Sequence, residues 1–245
     1  MNWSDARARN FGSIAELYER VRPGYPVDAV EWLLPADARR VADVGTGTGK
    51  LTDALLSTGR EVTAVDPDPG MLAVLAAKHP GVVTHPGSAE HLPLDDASVD
   101  AVTFGQSWHW VDPTRGSAEV ARVLRPGGVL GLVWNIRDAR EPWVAQLADL
   151  LGHESADEQM FAAGGPFVAD PLVLDDSAVF DWVSTIDVAT LVDLAATHGF
   201  VLTATDDDRR RMLGAVAALG ARVADADGVV RLPYRLHASR FRVGA

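Results

Sequence analysis

The sequence predicts a single α/β domain, residues 1–245, with a seven-stranded, mostly parallel sheet, helices on both faces and a helical cap. From Val41 onward, short apolar runs alternate with helical stretches, a pattern typical of parallel βαβ units. A glycine-rich turn joins the first run to the first of these helices. The segment VVRLPYRLHASRF alternates well enough near the C-terminus to predict an antiparallel last strand.

Five strands are expected in the first part of the chain, because each short apolar run is followed by a turn or a helical stretch. These runs are RRVADVG, EVTAVD, GVVTHPG, VDAVTFG and GGVLGLVWN, with KLTDALLSTG and PGMLAVLAAKHP as the first two helices between them. A further helix is expected near residues 113–124. RPGG at 125–128 is expected to stop that helix, with strand five beginning immediately afterwards, because proline cannot continue a helix and glycine favours the turn.

The remaining segments do not follow this alternation of strands and helices. Residues 1–40 are predicted to form an N-terminal cap around the helix-like DARARNFGSIAELYERV, and residues 136–175 a cap insertion with a helix near 142–151. Residues 41–135 form the core between them. Residues 176–245 are expected to hold a strand in SAVFDWVSTID, two helices near 188–197 and 208–224, and the last strand.

Composition excludes several classes of function. With no cysteine among 245 residues, a disulfide, a thiolate nucleophile and a cysteine-ligated metal are all ruled out. The net charge is −12, without a run of Arg and Lys that could follow a nucleic-acid backbone, so nucleic acid is not expected as a partner. No apolar run reaches the roughly 18 residues of a membrane span, and the N-terminus lacks a signal-peptide core. A cytoplasmic protein that does not bind a membrane is expected.

The glycine-rich turn DVGTGTGKLTD, residues 43–53, indicates a nucleotide-like ligand. A phosphate-binding P-loop would need glycine and a hydroxyl residue where the chain has Val44 and Leu51. A dinucleotide fingerprint would need a third glycine where the chain has Lys50. What remains is G-x-G-x-G between a strand and a helix.

Asp66 ends the second strand, 17 residues after Gly49. A carboxylate at this point of a βαβ unit is placed to accept hydrogen bonds from both ribose hydroxyls, which predicts an adenosine-like ligand. The alternative is a turn carboxylate that caps the helix after Pro67. The histidines at 79, 85 and 91 match no common zinc spacing, so no metal site is expected.

Four segments, VADVGTGTGKL, VTAVDPDPGML, GSAEHLPLDDASVDAV and RVLRPGGVL, follow one another over roughly residues 40–135. In this order they resemble the class I S-adenosylmethionine-dependent methyltransferases, whose fold is Rossmann-like. The flanks FGSIAELYERVRPGYP and GQSWHWVD are similar to a branch that methylates small molecules and includes trans-aconitate carboxyl methyltransferases. The resemblance implies S-adenosylmethionine as cofactor, S-adenosylhomocysteine as product and a small-molecule substrate, and it leaves the oligomeric state open.

The resemblance also implies roles for individual residues. The methionine part of the cofactor would lie near Asp43, Gly45, Thr46 and Gly47, and its ribose at Asp66. The adenine would lie between Pro67 and Met71, with its polar edge at Ser88, Ala89 and Glu90, while Gln106 and Ser107 would lie under the methionyl part. In the N-terminal cap, Tyr18, Arg22 and Tyr25 would close over the cofactor, with Arg22 paired to its carboxylate; the alternative is that Arg22 and Pro23 only shape a turn.

Residues after the fourth and fifth strands should face the reacting methyl group, because ligands of open α/β sheets bind beyond the carboxyl ends of the strands. His109 is the candidate general base, and Arg137 is a candidate contact for an anionic substrate. The alternatives are a structural His109 and an incidental arginine. The candidate substrate-binding aromatics are Trp108, Trp110 and Trp134, at least one of which is expected to be structural.

The sequence therefore predicts methyl transfer from S-adenosylmethionine to a small acceptor, at oxygen in preference to nitrogen or carbon. Two rivals remain open. One is an NAD-dependent oxidoreductase, against which Lys50 argues. The other is a regulatory protein that keeps the cofactor pocket and has lost catalysis.

Overall fold

A computed structural model describes residues 15–152, 159–161 and 163–244. The first 14 residues of the predicted N-terminal cap lie outside this range. Two short helices, α1 (Ala15–Val21) and α2 (Val27–Leu33), precede the sheet. The first half of the sheet then follows the predicted alternation: β1 (Arg40–Val44), α3 (Lys50–Ser57), β2 (Glu61–Asp66), α4 (Pro69–Lys78) and β3 (Val83–Pro86).

The second half begins with β4 (Val99–Gly105), a 3₁₀ turn over Trp108–Trp110 and α5 (Pro113–Val123). Longer strands and the remaining helices complete the chain: β5 (Leu124–Arg137), α6 (Pro142–Leu150), β6 (Leu172–Asp187), α7 (Val188–Ala196), α8 (Gly199–Thr203), α9 (Asp206–Val223) and β7 (Val229–Val243). The helices expected near 113–124, 142–151, 188–197 and 208–224 are confirmed to within about two residues.

Side-chain caps explain where several helices begin. Asp68 accepts a hydrogen bond from Gly70 N at the start of α4, and Asp112 accepts from Thr114 N and Arg115 N at the start of α5. In both helices a proline follows the cap, where its missing N–H costs nothing. Thr205 caps α9 by accepting a bond from Asp208 N. These local signals are all present in the sequence.

The seven strands form one sheet in the order β3-β2-β1-β4-β5-β7-β6. The strand pairs from β3 to β5 are parallel, and β7 is antiparallel to both of its neighbours. This confirms the predicted seven-stranded, mostly parallel sheet with an antiparallel last strand. The chain moves outward from β1 through β2 to β3 and then returns to place β4 on the other side of β1. This reversal of strand order lies between β1 and β4.

Helices cover both faces of the sheet. Alternate residues of β1 enter different clusters, with Ala42 and Val44 on one face and Val41 on the other. The first face packs against α5 through Val120, and the second against α2 and α3. A third apolar cluster joins α1, α6, α7 and α9 to the antiparallel pair of strands β6 and β7. In the described part of the chain, no helix combines the length and apolarity needed to cross a membrane.

The expected boundary between α5 and strand five is wrong by a few residues. The helix ends at Val123, and β5 begins at Leu124, before RPGG rather than after it. Leu124 pairs with Val99, and the register between β4 and β5 then shifts before Val129. RPGG therefore forms an irregularity inside the strand, where the guanidinium of Arg125 donates to the carboxylate of Asp100 at 2.8 Å.

Candidate active site at the carboxyl ends of the strands

A cleft opens where β1 and β4 separate, at the carboxyl ends of both strands. This is the place where open α/β sheets bind ligands. Two loops of the sheet and the N-terminal helix α1 form its walls. The lining residues are Tyr18, Arg22, Pro23, Tyr25, Asp43, Gly45, Thr46, Gly47, Thr48, Lys50, Leu51, Gly105 and Gln106. Eight of the fifteen residues expected to lie against a cofactor are among them.

The glycine turn follows β1 directly and is held to the neighbouring strand. Gly45 N and Thr46 N donate to the carbonyl of Val65 at 2.8 and 3.2 Å. Gly45 has a φ of +63°, and a Cβ there would lie 2.7 Å from the side chain of Ser107. Gly49 has a φ of +89°, and a Cβ there would lie 2.9 Å from Leu75 of α4. Close packing therefore depends on Gly49, one residue before the position where a dinucleotide fingerprint has its third glycine.

Asp43 lies beneath this turn with its carboxylate fully buried. Three threonine hydroxyls donate to it: Thr52 at 2.6 Å, Thr46 at 2.9 Å and Thr103 at 3.2 Å. Burial raises the pKa of Asp43 to about 6, and the three hydroxyl bonds oppose that rise. The carboxylate thus joins β1, the glycine turn, α3 and β4 at one point.

Asp66 is the last residue of β2 and is 6% exposed. Its Oδ2 accepts from Gly47 N and its Oδ1 from Asp68 N, both at 2.8 Å. Each carboxylate oxygen retains a further lone pair for another donor. Burial raises the pKa of Asp66, while the two amide bonds lower it. The alternative prediction was that Asp66 caps the helix that follows. That helix is capped by Asp68 instead.

Helix α1 carries Tyr18 and Arg22 to the cleft. The Arg22 guanidinium lies over the Tyr18 ring, 4.9 Å from its centroid, and donates to the carbonyl of Thr197 at 3.2 Å. On the neighbouring turn of the helix, Glu19 Oε1 lies 3.2 Å from Lys50 Nζ and 2.9 Å from Lys78 Nζ. These ion pairs attach α1 to the first turn of α3 and to the last turn of α4.

The residues after β4 complete the wall opposite α1. Gln106 lines the cleft with a φ of +52°, which is uncommon for a residue with a side chain and costs on the order of 1 kcal/mol or more. Its N–H donates to the carbonyl of Val133 on β5 at 2.9 Å. Ser107 Oγ donates to the carbonyl of Val44 at 3.1 Å. Strained backbone in a cleft is typical of a functional site.

The residues expected around the adenine lie on the β2–β3 side of the cleft. Gly87 N, next to Ser88, donates to the carbonyl of Asp66 at 3.1 Å, which brings these two loops together. Pro67 is exposed, whereas Met71 and Ala89 are buried. The carboxylate of Glu90 accepts from Asp112 N at 2.9 Å. None of these side chains lines the cleft itself.

Two of the three candidate tryptophans are buried. Trp108 packs edge-on against Phe104, and its Nε1 donates to the carbonyl of Phe167 at 2.9 Å. Trp134 is fully buried and packs edge-on against Phe161. The third, Trp110, is 44% exposed. All three stand outside the cleft lining, and their contact with a substrate stays a prediction.

His109 is exposed beside Trp110, with the two ring centroids 4.7 Å apart. It belongs to the 3₁₀ turn after β4 and does not line the cleft. Arg137 is the last residue of β5, and its Cα pairs with that of Tyr234 on β7. Burial raises the pKa of Tyr234, and the charges of Arg137 and Arg22 act against that rise.

Five lining residues were not assigned from the sequence: Pro23, Thr48, Lys50, Leu51 and Gly105. Thr48, Lys50 and Leu51 belong to the glycine turn and the start of α3, so proximity to that motif was the available signal. Gly105 needed tertiary information, because a Cβ there would lie 2.8 Å from the hydroxyl of Tyr25. A separate depression lies near the amino ends of β1, β2 and β4, away from the edge where the loops converge.

Comparisons with known proteins agree with this geometry. A family model described as a methyltransferase domain matches residues 42–132. An uncharacterized methyltransferase of Mycobacterium tuberculosis (strain ATCC 25618 / H37Rv) is 45% identical over 233 residues, which cover 92% of each chain. An uncharacterized methyltransferase-like protein of Schizosaccharomyces pombe is 39% identical over 151 residues, covering 60% of this chain and 59% of its own length.

Solved structures give the same picture of the fold. A protein of Anaeromyxobacter dehalogenans, provisionally named a type II methyltransferase, is 25% identical, with a TM-score of 0.69 over 91% of this chain and 98% of its own. The [4+2]-cyclase SpnF, at 20% identity, has a TM-score of 0.56 over 98% of this chain and 97% of its own. Since a cyclase shares the architecture, fold alone does not fix the chemistry.

Proposed function

The chain belongs to the class I S-adenosylmethionine-dependent methyltransferases, and we propose that it methylates an oxygen atom, carboxylate or hydroxyl, of a small organic acceptor. The observation that carries the assignment of the cofactor site is Asp66. Its buried carboxylate is held at the tip of β2 by amides from the glycine turn and from its own loop. A carboxylate in this position suits the two hydroxyls of a ribose.

The residues present fit such a cofactor. Two buried polar atoms of cleft residues, Arg22 Nε and Thr48 Oγ1, have no hydrogen-bond partner within the described chain. Buried polar groups are normally satisfied, so unpaired donors beside a cleft favour a polar ligand. The amino acid part of S-adenosylmethionine carries a carboxylate and an ammonium group, and the glycine turn requires no phosphate. The lack of a P-loop pattern is consistent with this ligand.

We assign the cofactor contacts accordingly. Asp66 holds the ribose, and Arg22 with Tyr18 on α1 holds the carboxylate of the methionine part. The rest of the methionine part would lie along the glycine turn, with Gln106 and Ser107 under it. Asp43 supports that turn from below through its threonine bonds. Pro67 and Met71 would flank the adenine, and Ser88, Ala89 and Glu90 would line its polar edge.

When bound, S-adenosylmethionine would supply an electrophilic methyl group, which would pass from its sulfur to the acceptor oxygen and leave S-adenosylhomocysteine as the second product. The chain's own residues contribute orientation and exclusion of water, which suffice for an acceptor that is already ionised. Helix α1 and its ion pairs hold Tyr18 and Arg22 over the cleft. A hydroxyl acceptor would also need a proton acceptor, and His109 is the residue we assign to that role.

The test is turnover with S-adenosylmethionine labelled in its methyl group on a panel of small carboxylic acids, alcohols, amines and activated carbon acids. We expect label in an acid as a methyl ester or in an alcohol as a methyl ether, identified by mass spectrometry. Label only in amines or carbon acids would contradict the oxygen assignment. Cofactor binding without label in any acceptor would favour the regulatory alternative, and hydride transfer with NAD would favour the oxidoreductase.

A further inference from the structure

Trp134 on β5 and His237 on β7 lie side by side on one face of the sheet, at the level of the cofactor cleft. Their Cα atoms are paired in the antiparallel ladder, and paired residues of such a ladder direct their side chains to the same face. The residue before Trp134 is Val133, whose carbonyl accepts from the N–H of Gln106 in the cleft wall. With strands about 4.8 Å apart, the two residues lie roughly 5 and 10 Å from Gln106 across the sheet. A small molecule can span that distance.

The Phe161 ring lies against both side chains. Its centroid is 5.5 Å from that of Trp134, with the ring planes at 77°, and 4.2 Å from that of His237, with the planes at 33°. Burial lowers the pKa of His237, so the imidazole is neutral at pH 7 and forms a flat, uncharged wall. Phe161 and His237 are both only partly buried. The indole and the imidazole thus hold a planar six-membered ring close to solvent.

The indole N–H of Trp134 has no acceptor. Trp134 is fully buried, and its Nε1 has no hydrogen-bond partner within the described chain. Two other indoles differ in this respect: Trp108 Nε1 donates to the carbonyl of Phe167 at 2.9 Å, and Trp182 Nε1 donates to Asn135 Oδ1 at 3.0 Å. A buried donor without a partner is uncommon in a folded protein and indicates a missing acceptor.

A phenyl ring cannot supply that acceptor. The side chain of Phe161 carries no oxygen or nitrogen, and an N–H directed at the face of an aromatic ring makes only a weak hydrogen bond. A planar ring with an oxygen substituent would keep the same contacts with the imidazole and the indole, and it would also accept a hydrogen bond from Trp134. The place of Phe161 therefore suits such a ligand better than it suits phenylalanine.

The backbone after Phe161 permits the ring to be replaced by a ligand. Gly164 and Gly165 have φ values of +109° and +102°, and a Cβ at either position would meet no atom within 4 Å. Two adjacent glycines in open space can take up a change of backbone direction at little cost. Beyond them the chain is fixed again, because the carbonyl of Phe167 accepts from Trp108. Exchange of the Phe161 ring for a ligand thus leaves the strands of the sheet in place.

We propose that Trp134 and His237 bind a planar aromatic ring of the methyl acceptor, which takes the place of the Phe161 ring and sets its oxygen substituent against the indole N–H. The substrates are then aromatic acids or phenols. This inference rests on the proposed function, because it takes the neighbouring cleft as the site of the methyl donor. Trp134 was a candidate from the sequence, whereas His237 and Phe161 were not, since only the fold brings them to it.

The test follows the indole N–H signal of Trp134 by NMR. The full-length protein, labelled with ¹⁵N in its seven tryptophans, is saturated with S-adenosylhomocysteine, and binding is verified by calorimetry. The signal that disappears in Trp134→Phe is that of Trp134. Benzoate and phenol are titrated as planar rings with an oxygen substituent. Cyclohexanecarboxylate, whose ring is not planar, and benzene, which has no oxygen, are the matched probes. We expect a saturable downfield shift with benzoate or phenol and none with the matched probes.

Variants locate the effect. His237→Gln should weaken binding of the responding probe about threefold or more, as loss of an aromatic contact does, and leave the affinity for S-adenosylhomocysteine within about twofold. His85→Gln is the matched control, because it changes another partly buried strand histidine, on β3 at the edge of the sheet, and it should bind the probe like the wild type. Trp134→Phe should weaken the probe about fivefold through loss of one hydrogen bond.

If Trp134→Phe does not fold, the signal of Trp134 is assigned from nuclear Overhauser effects between its indole and the rings of Phe161 and His237. No shift of this signal, an equal response to cyclohexanecarboxylate or benzene, or equal effects of His237→Gln and His85→Gln would overturn the aromatic site. Failure to bind S-adenosylhomocysteine would instead contradict the proposed function, and titration of the unliganded protein with the same probes would still score the site.

Discussion

At the scale of single residues, two buried carboxylates at the tips of neighbouring strands have different surroundings. Asp43 is surrounded by three threonine hydroxyls of its own fold, whereas Asp66 receives two backbone amides and keeps capacity for further donors. The first arrangement is typical of a structural group. The second is typical of a ligand-binding group.

Replacement of Asp66 by alanine should therefore weaken binding of S-adenosylhomocysteine. Loss of a charged partner for two ribose hydroxyls costs about 1.5 to 3 kcal/mol, which corresponds to roughly tenfold to a hundredfold in the dissociation constant. Glu61→Ala, at the exposed amino end of the same strand, is the control and should leave the affinity unchanged. Calorimetric titration of both variants measures the difference. Equal affinities of Asp66→Ala and wild type would remove the ribose assignment.

His109→Ala separates the two oxygen acceptors. A carboxylate is already ionised at pH 7 and needs no base, so with small acids as substrates we expect the variant to change mainly KM. Its pH–rate profile should have the same limbs as that of the wild type. A fall in kcat of about a hundredfold, with loss of one limb, would instead identify His109 as a general base for a hydroxyl acceptor. Loss of folding in the variant would identify a structural histidine.

At the scale of elements, α1 depends on ion pairs to stay over the cleft. Glu19 contacts both Lys50 and Lys78, and its Oε2 is buried without a partner within the described chain. The contact with Glu19 gives Lys50 a structural role. Lys50 is the residue that argued against a dinucleotide site in the sequence. Its side chain is directed to α1 rather than into the contact between helix and strand.

We predict that Glu19→Gln loosens α1 and weakens S-adenosylhomocysteine binding by several-fold, because partly buried charged hydrogen bonds contribute about 1 kcal/mol or more. Asp193→Asn is the matched control, since it breaks the exposed pair between Arg20 of the same helix and α7. Calorimetry gives the affinity, and amide hydrogen exchange in 15–21 reports the helix. Similar effects of the two variants would show that the ion pairs of Glu19 do not position α1.

Element boundaries were predictable where the signal was local. The capping residues Asp68, Asp112 and Thr205 and the prolines behind the two aspartates mark helix starts in the sequence. RPGG was misread because its glycines and proline are equally compatible with a helix stop and with an irregular strand. The pairing of Leu124 with Val99 decides between them, and that pairing is a tertiary contact.

At the scale of the whole molecule, the regular alternation of apolar and helical segments was sufficient to predict the sheet and its parallel core. The insertion of β7 between β5 and β6 is not a local property, since it depends on pairing between segments about a hundred residues apart. The same holds for the candidate site. The glycine turn and the carboxylate at the end of β2 were expected from the sequence, whereas the contact between Gly105 and Tyr25 forms only once the sheet is assembled.

Stability should depend on pH through Asp43. The pKa of the Asp43 carboxyl is about 6 in the folded protein, compared with an ordinary value of 3.8. The folded state therefore binds this proton more tightly than the unfolded state does. At pH values below 3.8 the protonated carboxyl stabilises the folded protein, and this contribution to the free energy of unfolding is lost as the pH rises from about 4 to about 6. The Tm of wild type minus that of Asp43→Asn should fall over this range and then stay constant. A difference that rises with pH in calorimetric scans would reverse the assignment.

The proposed function requires the cleft between β1 and β4 to bind an adenosyl amino acid. Calorimetric titration of the wild-type protein with S-adenosylhomocysteine, and in parallel with NAD and ATP, tests it most directly. We expect saturable binding of S-adenosylhomocysteine with a rise in Tm, because a ligand that prefers the folded state stabilises it by mass action, and no binding of the other two. Binding of NAD without binding of S-adenosylhomocysteine would contradict the assignment of the cofactor.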